Sequence, residues 1–209
     1  MNAIHHFTLF LTTGILLNLT PGPDTAYILG RSIVQGRRAG IASALGISTG
    51  SIGHTIAAAL GLSAFLAASA SAFTIVKFVG GAYLIYLGVR IILSRSEGLH
   101  VPSHFRSRET TAAFRQGIIT NLLNPKVALF FLAFLPQFID PASPMKVPAF
   151  IVLGLTFVAT GTIWCLILAW FASSFSERLR GSTTVASVLN RTIGSIFVFL
   201  GFRLATAPR

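Results

Sequence analysis

Asp24 and Lys126 are the residues of this chain best placed to do chemistry, because each follows a proline that interrupts an apolar run. Asp24 ends Gly14-Ile15-Leu16-Leu17-Asn18-Leu19-Thr20-Pro21-Gly22-Pro23-Asp24, and Lys126 ends Gly117-Ile118-Ile119-Thr120-Asn121-Leu122-Leu123-Asn124-Pro125-Lys126. The two stretches nearly repeat one another. Proline lacks an N–H and clashes with the preceding turn, so neither run can be one undisturbed helix. In lipid every backbone polar group needs a partner, and irregular backbone survives only inside protein or beside a watery cavity. The repeat therefore points to a site.

Thr20 before Pro21, and Asn124 before Pro125, each fit an N-cap and first helical position, so each break is expected to start a new half-helix. Such an end carries unpaired N–H groups and the positive pole of the helix dipole, which suits a substrate carboxylate. Asn18, Thr20, Asn121 and Asn124 either bind substrate or only satisfy the broken backbone. Lys126, second in its half-helix, faces the unfavourable end of the dipole and needs an anion. Glu97, Glu109, Asp140 and Glu177 fall in expected loops, which leaves Asp24 as the acid within an apolar run. Intramembrane charges usually pair or line a pathway. Three readings stay open: a permanent Asp24–Lys126 pair, a site dividing an amino acid's ammonium and carboxylate between them, and Asp24 as a proton carrier. The candidate binding set is Asn18, Thr20, Pro21, Gly22, Pro23, Asp24, Asn121, Asn124, Pro125 and Lys126. Asp24 and His54 are candidate proton-relay groups, with packing the alternative for His54.

Other polar residues have simpler readings. Lys77 snorkels, Arg90 and Arg203 sit at matching helix ends near headgroups, and His5 and His6 lie at an interface. Cys165 is the single cysteine, so neither a disulfide nor a Cys cluster for metal is expected, and no cofactor is implied. Gly46, Gly50 and Gly53 lack the strand and acidic residue of a dinucleotide fingerprint and read as close-packing positions. Zinc-protease, Walker and nucleophile-elbow motifs are missing, which argues against an enzyme.

The elements that must hold these residues are membrane helices. Hydrophobic residues make up 53% of the 209 and charged ones 10%, with a mean hydropathy of +0.77, values typical of a chain whose solvent is the bilayer. Spans of roughly 20 apolar residues are expected at 4–29, 41–66, 70–93, 115–136, 147–172 and 185–206. The first has no preceding Lys or Arg and no small-residue cleavage site, so it reads as a retained span. The net charge of +11 follows the loops instead of gathering on a solvated face, which argues against nucleic acid. Arg31, Arg37 and Arg38 fall in the first loop, Arg95, Arg106 and Arg108 in the third, and Arg178 and Arg180 in the fifth, against Lys146 alone in the alternate loops. By the positive-inside rule those three loops are cytoplasmic and both termini face outwards.

Three collinear matches indicate a duplication: Asn18 with Asn121, Thr49-Gly50-Ser51-Ile52 with Thr160-Gly161-Thr162-Ile163, and Leu87-Gly88-Val89-Arg90 with Leu200-Gly201-Phe202-Arg203. The units are 1–93 and 115–209, joined by a cytoplasmic linker at 94–114. Three spans per unit invert the second relative to the first, the plan of many secondary transporters. The expected fold is all-α: a single polytopic domain of six helices in two inverted repeats, the first and fourth helices broken.

Asn18-Leu19-Thr20-Pro21-Gly22-Pro23-Asp24, Gly80-Gly81-Ala82-Tyr83-Leu84-Ile85-Tyr86-Leu87-Gly88 and Asn124-Pro125-Lys126 with Phe134-Leu135-Pro136-Gln137-Phe138 together resemble the lysine-exporter (LysE-type) superfamily, in particular its homoserine and threonine efflux branch. The resemblance spans nearly the whole chain. It implies a bacterial inner-membrane exporter of amino acids, driven by the proton gradient, and a functional role for both breaks. With one intramembrane acid, neutral amino acids such as threonine, homoserine or leucine are the expected substrates. Basic amino acids or divalent metals within the superfamily, or a non-transporting membrane scaffold, are the alternatives; lipid and protons are expected partners, and a homo-oligomer is compatible with the sequence.

Overall fold

The computed structural model describes residues 3–62 and 109–179 (173–179 as backbone), with single helical positions between 78 and 93 and between 191 and 202. Most of the third and sixth expected spans and of the 94–114 linker, with Lys77, Arg90 and Arg203, lie outside the described residues. Among those described every regular element is helical: α1 (Phe7–Leu19), α2 (Pro23–Gln35), α3 (Arg37–Ala57) running into a π-turn (Ala58–Leu62), α4 (Thr110–Leu122), α5 (Pro125–Leu129) and α6 (Lys146–Leu179). α5 continues through a π-turn (Phe130–Phe134) into a 3₁₀ turn (Leu135–Phe138).

The expected span at 4–29 is therefore two helices that continue to Gln35. Its restart differs from the sequence reading. The N-cap is Gly22 with Pro23 at the first position, not Thr20 with Pro21. Pro23 disfavours helical backbone at the residue before it, so Gly22 stays extended and the helix resumes one step later. Thr20 belongs to the end of α1: its N–H reaches the carbonyls of Leu16 and Leu17, and its hydroxyl donates to Leu16 O at 2.8 Å. α2 stops at Gly36, whose φ of +87° favours glycine. At the second break Asn124 is the N-cap as expected, its Oδ1 accepting from the Lys126 N–H at 3.1 Å, with Pro125 first in α5. α4 and the continued α5 meet at a 48° bend. α4 starts at Thr110, inside the expected linker.

α6 is long and apolar enough to cross a bilayer over Lys146–Ala172, and α4 with the continued α5 passes the same test as a bent pair. Ile151, Val152, Leu155, Ile163, Ile167, Trp170 and Phe171 are all exposed along α6. An apolar face of that extent marks contact with lipid or protein. Hydroxyls on exposed positions, Thr12, Thr49, Thr120 and Thr156, donate back to the carbonyl four residues earlier, so they carry no unmet bond into an apolar medium.

α3 is the central element, packed mainly against α4 and α6. Helices in lipid associate by close van der Waals fit, which small residues permit. At the α3–α4 crossing a side chain on Gly46 would lie 2.1 Å from Phe114 O, and one on Gly117 2.7 Å from Ser43 O. One apolar cluster gathers Phe10, Phe130, Phe131, Phe134, Phe138, Phe150 and Phe157, with Phe130 and Phe157 stacked at 4.3 Å between ring centres. A second joins Ile28, Ala44, Ile47 and Ala169.

The ends of the elements sort into two faces. Ile4 bridges Ile139, with His5 N donating to Phe138 O at 2.8 Å and Asp140 N to Ala3 O at 2.9 Å. At the other end the last turns of α2 lie beside the first turns of α4, tied by Tyr27 OH to Ala113 O at 2.8 Å. Arg31, expected in a loop, is instead fully buried in α2. Its guanidinium donates to Tyr27 OH at 3.2 Å and to the side-chain carbonyls of Gln35 and Gln116. Those acceptors let α2 extend past the arginine.

Candidate functional site

Between the two apolar clusters lies a cavity of about 30 Å³ whose lining includes Asn18, Asp24, Asn121 and Lys126, with Thr25, Ser48, Ser51, Phe157, Gly161, Thr162, Trp164 and Cys165. Four of the expected site residues therefore share one space. Thr20, Pro21, Gly22, Pro23, Asn124 and Pro125 do not line it; they shape the two breaks behind it.

The breaks are cross-wired. Lys126 Nζ, from the second, donates to Leu17 O at 3.1 Å and Thr20 O at 2.9 Å, the loose carbonyls at the end of α1. The ammonium that its own helix start disfavours thus rests on the negative pole of another helix. Gly22 lies alongside it, a side chain there coming into ordinary contact with Nζ at 3.4 Å. In the opposite sense Asp24, in the first turn of α2, accepts from Asn121 Nδ2 at the end of α4, at 2.8 Å from Oδ2. The anion that Lys126 was expected to require is supplied by carbonyl dipoles, and no direct Asp24–Lys126 ion pair forms among the described residues. The carbonyls can take it because they lie in the last turn of α1, where a helix leaves acceptor capacity over; Leu17 O accepts from the Thr20 N–H as well.

On the two charged groups, two bonding positions are left over. An ammonium has three donors and Lys126 uses two. Asp24 Oδ1 is buried with no hydrogen-bond partner. The site is neutral overall and offers one donor on its cation and one acceptor on its anion.

The asparagines hold the surrounding helices. Asn18 Nδ2 reaches Thr160 Oγ1 at 3.1 Å and Phe157 O at 3.4 Å on α6. Asn121 Oδ1 accepts from Ser51 Oγ at 3.1 Å. His54 Nε2 lies 3.2 Å from Asn121 O; a carbonyl only accepts, so that nitrogen carries the hydrogen. The ring also stacks on Phe131 at 5.7 Å. His54 is outside the cavity lining, behind Asn121. His5 and His6 are at the chain end remote from this site.

A family model for LysE type translocators matches residues 15–207. The chain belongs to the LysE type translocator family. It is thus a membrane transporter and not an enzyme. An "Uncharacterized membrane protein" of Vibrio cholerae is 32% identical over 98% of both chains. The "Homoserine/homoserine lactone efflux protein" of Salmonella typhimurium is 33% identical, and that of Salmonella typhi 34%, each over 95% of both chains. No solved structure matches.

Several lining residues of this translocator carried no signal in the sequence. Thr25 and Ser48 are ordinary small polar residues of apolar helices, Trp164 has no motif around it, and Cys165 reads as packing. The Thr162 hydroxyl lies 2.7 Å from both Ser48 Oγ and Val158 O, so α3 and α6 touch through it. The Thr-Gly repeat held the available hint, since Ser51, Gly161 and Thr162 all belong to it.

Proposed function

We propose that this translocator exports small neutral amino acids, of the threonine, homoserine or leucine kind, across the bacterial inner membrane. The observation that carries the reading is the pair of unused bonding positions in one cavity: the third donor of Lys126 and Oδ1 of Asp24. A zwitterion supplies a carboxylate for the first and an ammonium for the second, and adds no net charge to a neutral site. A basic amino acid would bring a second cation, and Asp24 is the lone carboxylate among the described lining residues. One carboxylate and one thiol beside an ammonium make a poor donor set for a divalent metal. The homoserine/homoserine lactone efflux proteins of the two Salmonella species support the amino-acid class.

The cavity's 30 Å³ holds about two waters, so loading an amino acid requires the helices around it to separate. Alternating access about inverted halves provides that. Equivalent packing supports the duplication: a side chain on Gly50 would strike Asn121 at 2.9 Å, and one on the repeat-related Gly161 would meet Asn18 at 3.0 Å. Proton coupling follows if a proton and the substrate ammonium compete for Asp24 Oδ1. With the α2–α4 face in the cytoplasm by the positive-inside rule, both termini face the periplasm.

The test is counterflow in proteoliposomes with a panel of amino acids, with and without an imposed pH gradient. Neutral amino acids should exchange, and a gradient should drive their net movement. Failure to move any amino acid, with manganese or cadmium carried instead, would overturn the reading. Asp24→Asn and Lys126→Met should each lower exchange by about a hundredfold, ~2.7 kcal/mol of lost stabilisation, with folded protein still in the membrane.

A further inference from the structure

The zwitterion accounts for Lys126 and Asp24 but leaves a third group unanswered. Trp164 lines the same cavity, and its indole Nε1 is buried with no hydrogen-bond partner among the described residues. An indole N–H only donates, so it asks for an oxygen. No oxygen of the described residues accepts from it: the Thr162 hydroxyl is turned to Ser48, Asn18 turns its Nδ2 to Thr160 and Phe157, and Asn121 Oδ1 accepts from Ser51. Buried polar groups in folded proteins are almost always satisfied, and an exception in a binding cavity points to the ligand.

We infer that Trp164 determines side-chain specificity, its indole N–H donating to an oxygen on the side chain of the transported amino acid. The inference rests on the amino-acid reading above and goes further by selecting hydroxyl-bearing substrates over aliphatic ones. The physical basis is asymmetric discrimination. A pocket with a committed donor rejects the analogue that leaves it unpaired far more strongly than an apolar pocket rejects an added hydroxyl. Trp164 follows Gly161 and Thr162 on the same helix, so the residues that pack α6 on Asn18 and α3 also set its place.

The test is counterflow with matched pairs, homoserine against 2-aminobutyrate and threonine against valine, for the wild-type protein and Trp164→Phe. Wild type should favour the oxygenated member by about tenfold or more. The variant should lose that preference, the KM ratio between the two members of each pair falling towards one. A second measurement does not depend on the variant's folding. In Trp170→Phe the one remaining indole is Trp164, and its fluorescence should respond to homoserine and not to 2-aminobutyrate. Equal loss for both members would place the indole on the shared carboxylate or in the framework, and an unchanged ratio would remove it from recognition; either overturns this inference alone. Wild-type protein that exchanges no amino acid overturns the amino-acid reading and this inference with it.

Discussion

At the scale of single residues, Asn121 is the hub of the site. It donates to Asp24, accepts from Ser51, offers its backbone carbonyl to His54 and packs on Gly50. Asn121→Leu keeps the branched shape and the number of heavy atoms and removes the amide, leaving both oxygens of Asp24 without a partner. It should cost ~1–3 kcal/mol, read as a lower melting temperature in detergent, and should abolish exchange. His54→Phe is the informative contrast. The ring can still stack on Phe131, but the bond to Asn121 O is lost. Because His54 stands outside the cavity lining, exchange should persist within about threefold and the response to a pH gradient should remain, at a stability cost of ~1 kcal/mol. Loss of the gradient response with intact exchange would instead make His54 a proton relay. The sequence singled out Asp24 and Lys126 because charge in an apolar run is costly and local. It could not give their partners, since those are carbonyls and amides on other helices.

At the scale of elements, the breaks and the crossings carry the argument. Proline placed both interruptions, yet the restart expected at Thr20–Pro21 falls at Gly22–Pro23, because Pro23 holds Gly22 extended. The ends of α2 and α4 depended on Arg31 finding Tyr27, Gln35 and Gln116 as acceptors, pairings between distant segments with no periodic signature. At the α3–α4 crossing, Gly46→Ala should destabilise the protein by ~1–3 kcal/mol or more, because the added carbon meets the backbone carbonyl of Phe114 at 2.1 Å. Gly61→Ala, with no atom of the described residues within 4 Å of the new carbon, should not lower the melting temperature. Equal melting for both would show that the crossing is looser than its geometry implies.

At the scale of the whole molecule, the two faces fix what orientation requires. The N-terminal segment bridges the chain at Ile139, while Gly36 and the start of α4 share the opposite end through the α2–α4 contacts. The single cysteine makes this directly measurable. In a Cys165→Ser background, Ala142→Cys should react with an impermeant maleimide in intact cells, and Arg38→Cys only after permeabilisation. The reverse pattern would invert the protein and turn proposed export on its head. Both positions are exposed.

Read alone, the sequence determined the solvent, the helical class, the two interruptions and the two charges, because hydropathy, proline geometry and the cost of charge in lipid act over a few neighbouring residues. Its motifs also led to the family. Tertiary structure decided what those charges hold. Lys126 reaches the carbonyls of Leu17 and Thr20, Asp24 reaches Asn121, and Trp164 joins them in one cavity. Hydrogen bonds between segments about a hundred residues apart depend on how the helices cross, and no local pattern encodes that.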